Sequence, residues 1–482
     1  MSVLADLQPT RVFYYFEEIC NIPHGSRNTK AISDYIVDFA KGHQLKYIQD
    51  ELNNVIIFKP ASPGYEASEP VIIQGHMDMV CEKDKGVDID FEKDGLRLMV
   101  DGDFVTAEGT TLGGDDGIAV AFALALLEDD SLRHPRLEVV LTVDEEIGML
   151  GAYDIDLSML QGRKMLNLDS DEEGHFLTGC AGGMSLNVDL PVHYVVQKGL
   201  ELRINVTGLE GGHSGAEIHK EHGNADIIMG RILQTVMDHT PMGIVRLAGG
   251  LKDNAIPREC TTKLLIPEES RNMVEKLLGK LNTTIKNELS VADPNFELEY
   301  SFGNVIEGKM LDYASVNRVV YYLRTVPNGV QHMSQVMSGI VETSLNLGIM
   351  ELTNESLHTV TSLRSSVSSR KEDLKNRVCN IVEMLGGEYA IEGDYPAWEY
   401  KKDSVVRETI GQIYEELSGE KPVFEAIHAG LECGIFSEKI PDLDCVSFGP
   451  ANFDIHTPKE RLSISSTQRY YQLVTEFLKR SK

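Results

Sequence analysis

The sequence predicts an α/β protein: a mixed-sheet α/β domain interrupted by an inserted α+β domain. Three observations lead there. The chain has 482 residues, too many for one compact core, so more than one domain is expected. Apolar β-branched runs alternate with helical periodicity as far as Asp169, the pattern of an α/β sheet. The character then changes near residue 185 and returns at Pro396-Ala397-Trp398. The expected segments are 1–185 and 397–482 for the first domain and 186–396 for the insert. That length is large for one layer of sheet and helices and suits two βαβ-type halves, although no sequence repeat marks them.

The elements follow in order. Pro9 to Cys20 has helical spacing, with Pro9 suited to the first turn. Ile32 to Ala40 repeats that spacing on a second helix. Asn54 to Phe58 and Val71 to Ile73 read as strands, Asp116 to Glu128 as a helix, and Leu137 to Val143 and Met165 to Leu168 as buried parallel strands. In the insert, the strand-like run Leu200 to Val206 is accompanied by amphipathic helices at Arg271 to Leu289 and Ser315 to Leu323. A helix at Ser404 to Glu416 and a strand at Cys445 to Phe448 complete the first domain.

Composition narrows the function classes. Hydrophobic residues make up 42% and charged residues 25%, as in a soluble globular protein. The formal net charge of −30 disfavours nucleic acid and anionic membranes as partners. No apolar run approaches the roughly 18 residues of a transmembrane helix. The first residues, Met1 to Pro9, lack a basic start and an apolar core, so no secretory signal is expected. The seven cysteines are odd in number and form no Cys-x-x-Cys, which points to free thiols in a reducing cytoplasm. Cys81, near a candidate site, is expected to pack rather than react.

Five short segments carry side chains suited to a paired zinc site: His76-Met77-Asp78, Gly113-Gly114-Asp115-Asp116-Gly117, Asp144-Glu145-Glu146, Asp169 and Asp454-Ile455-His456. Three of them follow strand-like runs, and ligands in open α/β sheets gather beyond the carboxyl ends of strands. Two imidazoles and three carboxylates suit zinc or another borderline divalent metal. Adjacent side chains at a strand end point different ways, so one of Glu145 and Glu146 can bind metal while the other faces a reacting water. His76-x-Asp78 fits the rule that a metal-bound histidine gives its other N–H to a carboxylate. Asp115 also reads as a helix N-cap, and Glu145-Glu146 as a solvated acidic turn. Outside this set, His213 lies between glycines in Gly211-Gly212-His213-Ser214-Gly215 and could polarise a carbonyl. Arg364 could clamp a carboxylate with its planar fork, or make a surface pair. Asn254 could offer an amide to a substrate, or simply form a turn before Pro257.

Together these segments resemble the co-catalytic zinc aminoacylase/carboxypeptidase superfamily. Four further stretches resemble its bacterial aminoacyl-histidine dipeptidase branch: Gly75 to Cys81, Gly211 to Gly215, Asn254 to Glu259 and Ile427 to Gly434. The resemblance implies two Zn2+ per chain, with Mn2+ or Co2+ as substitutes. Asp115 would bridge them, His76 and Asp169 would complete one site, and Glu146 and His456 the other. It implies Glu145 as general base, Asp78 as the group orienting His76, His213 as oxyanion stabiliser, and Arg364 with Asn254 as substrate-binding residues. The insert would be a lid, and a homodimer through it is one arrangement the resemblance allows. The implied function is hydrolysis of unblocked dipeptides, including Xaa-His such as β-alanyl-histidine, in the cytoplasm. An N-acyl-amino-acid deacylase on the same site, or a non-catalytic metal- or peptide-binding protein, are the alternatives.

Overall fold

The computed structural model describes residues 2–482; Met1, where the expected first segment begins, lies outside the described residues. The chain forms two compact units. The first takes residues up to Gly179, Tyr400–Ala426 and Leu431–Lys482; the second takes Cys180–Glu399 and Ile427–Gly430. Among the described residues, no helix is long and apolar enough to cross a membrane.

Among its described residues, the first unit is built on an eight-stranded mixed sheet in the order Lys46–Gln49, Val55–Lys59, Leu137–Thr142, Val71–His76, Lys164–Asn167, Asp444–Ser447, His175–Cys180 and Val423–Ile427. The strands Leu137–Thr142, Val71–His76, Lys164–Asn167 and Asp444–Ser447 run parallel at its centre. Every residue of the first two is buried, as expected where both faces of a sheet are covered. One cover is the helix Gly114–Glu128, whose residues Asp116 to Leu127 are all buried. A helix apolar on every side belongs inside the core. A smaller sheet orders Asn452–Phe453, Arg461–Ser463, Phe104–Ala107 and Leu98–Asp101. Its pairing Asn452↔Leu462 closes the loop that carries His456.

Local signals set several helix ends. The expected helix at Ser404 spans Val405–Ser418, because the Ser404 side chain accepts from Arg407 N–H and caps it from outside. Pro9 sits at the N-cap of Thr10–Cys20 in an extended conformation, one step before the first turn. The helix expected from Asp116 starts irregularly: Gly113 is left-handed, and Asp115 and Asp116 have non-helical dihedrals.

Among its described residues, the second unit carries a nine-stranded sheet with two copies of one topology. One copy runs strand Tyr194–Thr207, helix Ala225–Met237, strands Gly243–Gly249 and Cys260–Ile266, helix Arg271–Glu288 and strand Glu297–Leu311. The other runs strand Gly182–Pro191, helix Tyr313–Thr325, strands Val341–Leu352 and Ser356–Ser365, helix Ser368–Met384 and strand Glu388–Tyr395. The lateral strand order of each mirrors the other, and they join where Ala248 pairs Glu351 and Gly249 pairs Met350. In the chain the first copy lies between the first strand and first helix of the second.

Candidate functional site

The ligand candidates of the first unit meet at the carboxyl ends of three neighbouring strands. His76 is the last residue of its strand; Glu145 and Glu146 follow Leu137–Thr142, and Asp169 follows Lys164–Asn167. Asp115 enters from the irregular helix start and His456 from the loop after Asn452–Phe453. The Asp115 carboxylate points one oxygen at each imidazole: Oδ1 lies 3.1 Å from His76 Nε2 and Oδ2 lies 3.1 Å from His456 Nε2. Asp169 Oδ1 stands 3.7 Å from His76 Nε2, and Glu146 Oε1 2.9 Å from His456 Nε2. Asp115 thus touches both imidazoles, and the candidate atoms gather into the groups His76–Asp116–Asp169, His76–Glu145–Glu146 and Asp115–Glu146–His456.

The electrostatics ask for positive charge at both imidazoles. Burial would lower His76, but Asp115, Asp78 and Asp169 hold it well above its usual value. Hydrogen bonds to Asp115 and Glu146 lift His456 to about 10. Burial alone would raise Asp115, yet His456 and His76 pull it below the usual range. Burial pushes Asp169 and Asp116 well up, and neighbouring carboxylates add to it. Divalent cations would relieve this crowding as protons do. The donor set of two imidazoles and three carboxylates fits such ions, zinc among them.

Neighbouring groups hydrogen-bond to these side chains or surround them. His76 Nδ1 lies 3.0 Å from the Asp78 carbonyl and 3.5 Å from its carboxylate. A carbonyl only accepts, so Nδ1 carries a proton and Nε2 faces Asp115. The Asp78 carboxylate instead accepts from Ser26 Oγ at 2.8 Å and from the main-chain N–H of Glu145 at 3.0 Å. Asp78 therefore orients His76 through its main chain and the Glu145-Glu146 turn through its side chain. Asp116 Oδ2 accepts from His76 N–H at 3.1 Å. Gly75 makes room for it, since a Cβ there would stand 2.5 Å from that oxygen. Burial first, then Glu432, Glu146 and Asp115, push Glu145 to about 8 against the pull of His76. The Cys81 thiol, half-buried, is raised to about 11 and stays protonated at neutral pH.

Two buried acids escaped the sequence reading. Glu432 lies below the ligand layer, its Oε2 accepting from Gln74 Nε2 at 2.5 Å and Thr142 Oγ1 at 2.8 Å. Glu460 binds the main chain of the Gly113-Gly114 turn. Glu432 was visible within the stretch Ile427 to Gly434, though nothing local announced its partners. Glu460 follows His456 by four residues and had no local signal.

In the second unit, His213, Asn254 and Arg364 come together. Ser214 N–H donates to the Asn254 carbonyl at 2.8 Å, and His213 pairs with Ala255. Arg364 is buried, donates through Nη1 to Tyr395 Oη at 2.9 Å, and leaves Nε without a partner. A Cβ on Gly215 would stand 2.6 Å from the His428 carbonyl and 3.2 Å from Arg364 Nε, so only glycine permits this approach. His213 Nδ1 accepts from Gly215 N–H at 3.2 Å and Ala216 N–H at 3.0 Å. Burial and Arg364 lower its proton affinity. The neutral ring therefore carries its proton on Nε2, free to donate. His428, joined to Ser344 Oγ at 2.8 Å and lowered to about 3 by burial and then Arg364, is a neighbour the sequence reading did not assign. Asn254 is exposed.

Two other features are not needed for this chemistry. Glu172, His175 and Glu425 cluster on the first unit, but His175 already pairs with both acids. A cavity of about 770 Å³ in the second unit, lined by residues such as Asn205, Gly249, Ile256 and Thr261, includes none of the candidate site residues.

The model of peptidase family M20/M25/M40 matches residues 72–480. The cytosol non-specific dipeptidase of Escherichia coli K12 is 36% identical over 482 residues, covering 99% of both chains. The aminoacylhistidine dipeptidase of Vibrio alginolyticus superposes with a TM-score of 0.95 at 34% identity, covering 98% of this chain and 97% of that one. The aminopeptidase PepT of Bacillus cereus, at 14% identity and a TM-score of 0.57 over 98% of this chain and 99% of that one, shares the fold.

Proposed function

Because the chain belongs to peptidase family M20/M25/M40, we propose that it is a dinuclear-metal dipeptidase. Its substrates in this reading are unblocked dipeptides, including Xaa-His such as β-alanyl-histidine. The observation that carries it is the Asp115 carboxylate, with one oxygen 3.1 Å from His76 and the other 3.1 Å from His456. The names of the Escherichia coli and Vibrio alginolyticus relatives support the substrate class. Segments 1–185 and 397–482 form the catalytic domain in this reading, and 186–396 the lid.

His76, Asp115 and Asp169 would hold one ion, and Asp115, Glu146 and His456 the other. Zinc is proposed, with Mn2+ or Co2+ as substitutes. Bound there, such ions supply Lewis acidity and lower the pKa of water. Glu145 takes the proton of the attacking water and returns it to the leaving amine. Burial raises its proton affinity, which favours holding the proton until it passes to the leaving amine. Asp78 fixes the turn that presents Glu145. His213 donates from Nε2 to the developing oxyanion. Arg364, with an unpaired buried Nε, takes the substrate carboxylate, and Asn254 assists. The relative named as cytosolic supports a cytoplasmic location, and light scattering tests the homodimer.

The test is hydrolysis of β-alanyl-histidine, Leu-Gly, a tripeptide and N-acetyl-methionine by chelator-stripped protein, before and after zinc. Zinc-dependent cleavage of the dipeptides alone is expected. Cleavage of N-acetyl-methionine alone would replace this reading with a deacylase, and no cleavage with any metal would favour a binding protein.

A further inference from the structure

The placement of Asp115 depends on a residue that holds no metal. Glu460 is 3% exposed and its carboxylate collects five donors. Oε2 accepts from Leu112 N–H at 2.7 Å and Gly113 N–H at 3.0 Å. Oε1 accepts from Gly114 N–H at 2.8 Å, Asp115 N–H at 3.3 Å and Asn452 Nδ2 at 3.1 Å. A helix start leaves its first amides unpaired, and Gly113, at the N-cap of Gly114–Glu128, brings no capping side chain. One carboxylate from a distant segment serves four consecutive amides instead.

The same residue belongs to the loop that delivers His456. Glu460 N–H donates to the Thr457 carbonyl at 3.1 Å, and Asn452↔Leu462 pairing closes the loop below it. His456 and the group that shapes the Asp115 turn are therefore one local piece. A shift of Glu460 would disturb Asp115 and His456 together, relative to His76.

We propose that Glu460 is a positioning residue that seats the Asp115 carboxylate between His76 and His456, so that loss of its charged acceptor weakens both cation positions at once. This rests on the two-ion reading above. Glu138 supplies a comparison of the same chemistry away from the ligands. It is fully buried, and it accepts from Gln161 N–H at 2.9 Å, Gly162 N–H at 3.0 Å and Arg136 Nε at 2.9 Å.

The experiment compares wild type, Glu460→Gln and Glu138→Gln in three measurements. These are amide hydrogen exchange in metal-free protein, zinc stoichiometry and affinity by competition with a chromophoric chelator, and thermal unfolding. In Glu460→Gln the amides of Leu112 to Asp115 should lose protection, and both zinc ions should bind about 10- to 100-fold more weakly. Glu138→Gln should unfold earlier yet bind zinc as wild type does. Glu460→Asp, which keeps the charge one methylene short, should bind zinc between wild type and Glu460→Gln, and it serves if the glutamine variant does not fold. Wild-type zinc affinity in Glu460→Gln or Glu460→Asp, or an equal loss in Glu138→Gln, overturns the proposal. Fewer than two zinc ions on the wild type would overturn the two-ion reading instead, while exchange at Leu112 to Asp115 still decides whether Glu460 holds the turn.

Discussion

Asp226 carries a carboxyl group into the apolar core of the second unit, and replacing it with asparagine should stabilise the protein in a pH-dependent way. The side chain is fully buried and neither oxygen accepts from an N–H or O–H donor. Burial pushes it to about 8, opposed only by the Cys260 thiol, a weak donor. Gly249 makes the space, since a Cβ there would stand 1.8 Å from Asp226 Oδ1. An unfolded aspartate ionises near about 3.9. Below that both states are protonated, and the raised folded value costs nothing. As pH rises from about 4 the unfolded chain gives up a proton that the folded one keeps, so stability falls, and the fall levels off near about 8. At about pH 7 the gap is roughly three units of about 1.36 kcal/mol, or about 4 kcal/mol. Asparagine removes that penalty but leaves amide donors unpaired, at roughly 1–3 kcal/mol. Calorimetry of Asp226→Asn and wild type should therefore show no gain at about pH 4.5 and a Tm several degrees higher at about pH 8.5. A difference that does not change with pH refutes the reasoning. The helix of Asp226 is tied to the Asn254 loop: Asn224 Nδ2 donates to Asn346 Oδ1 at 3.2 Å, and Asn346 Nδ2 to the Asp253 and Ala255 carbonyls at 3.0 and 2.9 Å.

Three further outcomes are expected. Glu145→Ala should keep its zinc by metal analysis and lose about 10²- to 10⁴-fold in kcat; an intact rate removes the base assignment. Arg364→Ala should raise KM for dipeptides about 10- to 100-fold, the worth of roughly 1.5–3 kcal/mol for a charged hydrogen bond, and an unchanged KM counts against the carboxylate clamp. Glu432→Ala removes the short acceptor of Gln74 Nε2 and Thr142 Oγ1 and leaves them only contacts of 3.4 and 3.3 Å to Thr142 Oγ1 and the Gly75 carbonyl, so denaturant titration should show a loss of about 1–3 kcal/mol; unchanged stability would mean those longer contacts suffice.

Much of the candidate site was legible in the sequence because its signals are local. A buried parallel strand announces itself by a continuous apolar run, and the next polar residues must emerge at its carboxyl end. His76, Glu145, Glu146 and Asp169 are all placed by that rule. Asp115 and His456 were singled out by residue type alone, since a glycine-rich turn and a C-terminal loop carry no periodicity, and their pairing with the other candidates came from the resemblance. The insert was recognisable as separate because candidate ligands stop there. Its two halves were expected from its length, without a sequence repeat to mark them; the strand order of each half came only from the structure, because many sequences supply the same burial pattern.

The sequence by itself determined which residues have metal-binding chemistry and which strands present them, since period and residue type are properties of short segments. Only the tertiary structure decided which oxygen of Asp115 meets which imidazole, that Asp78 holds the Glu145 turn, and that Glu460 closes on Leu112 to Asp115. Those contacts join segments up to hundreds of residues apart, and a buried carboxylate takes whatever unpaired donors the folded core brings to it.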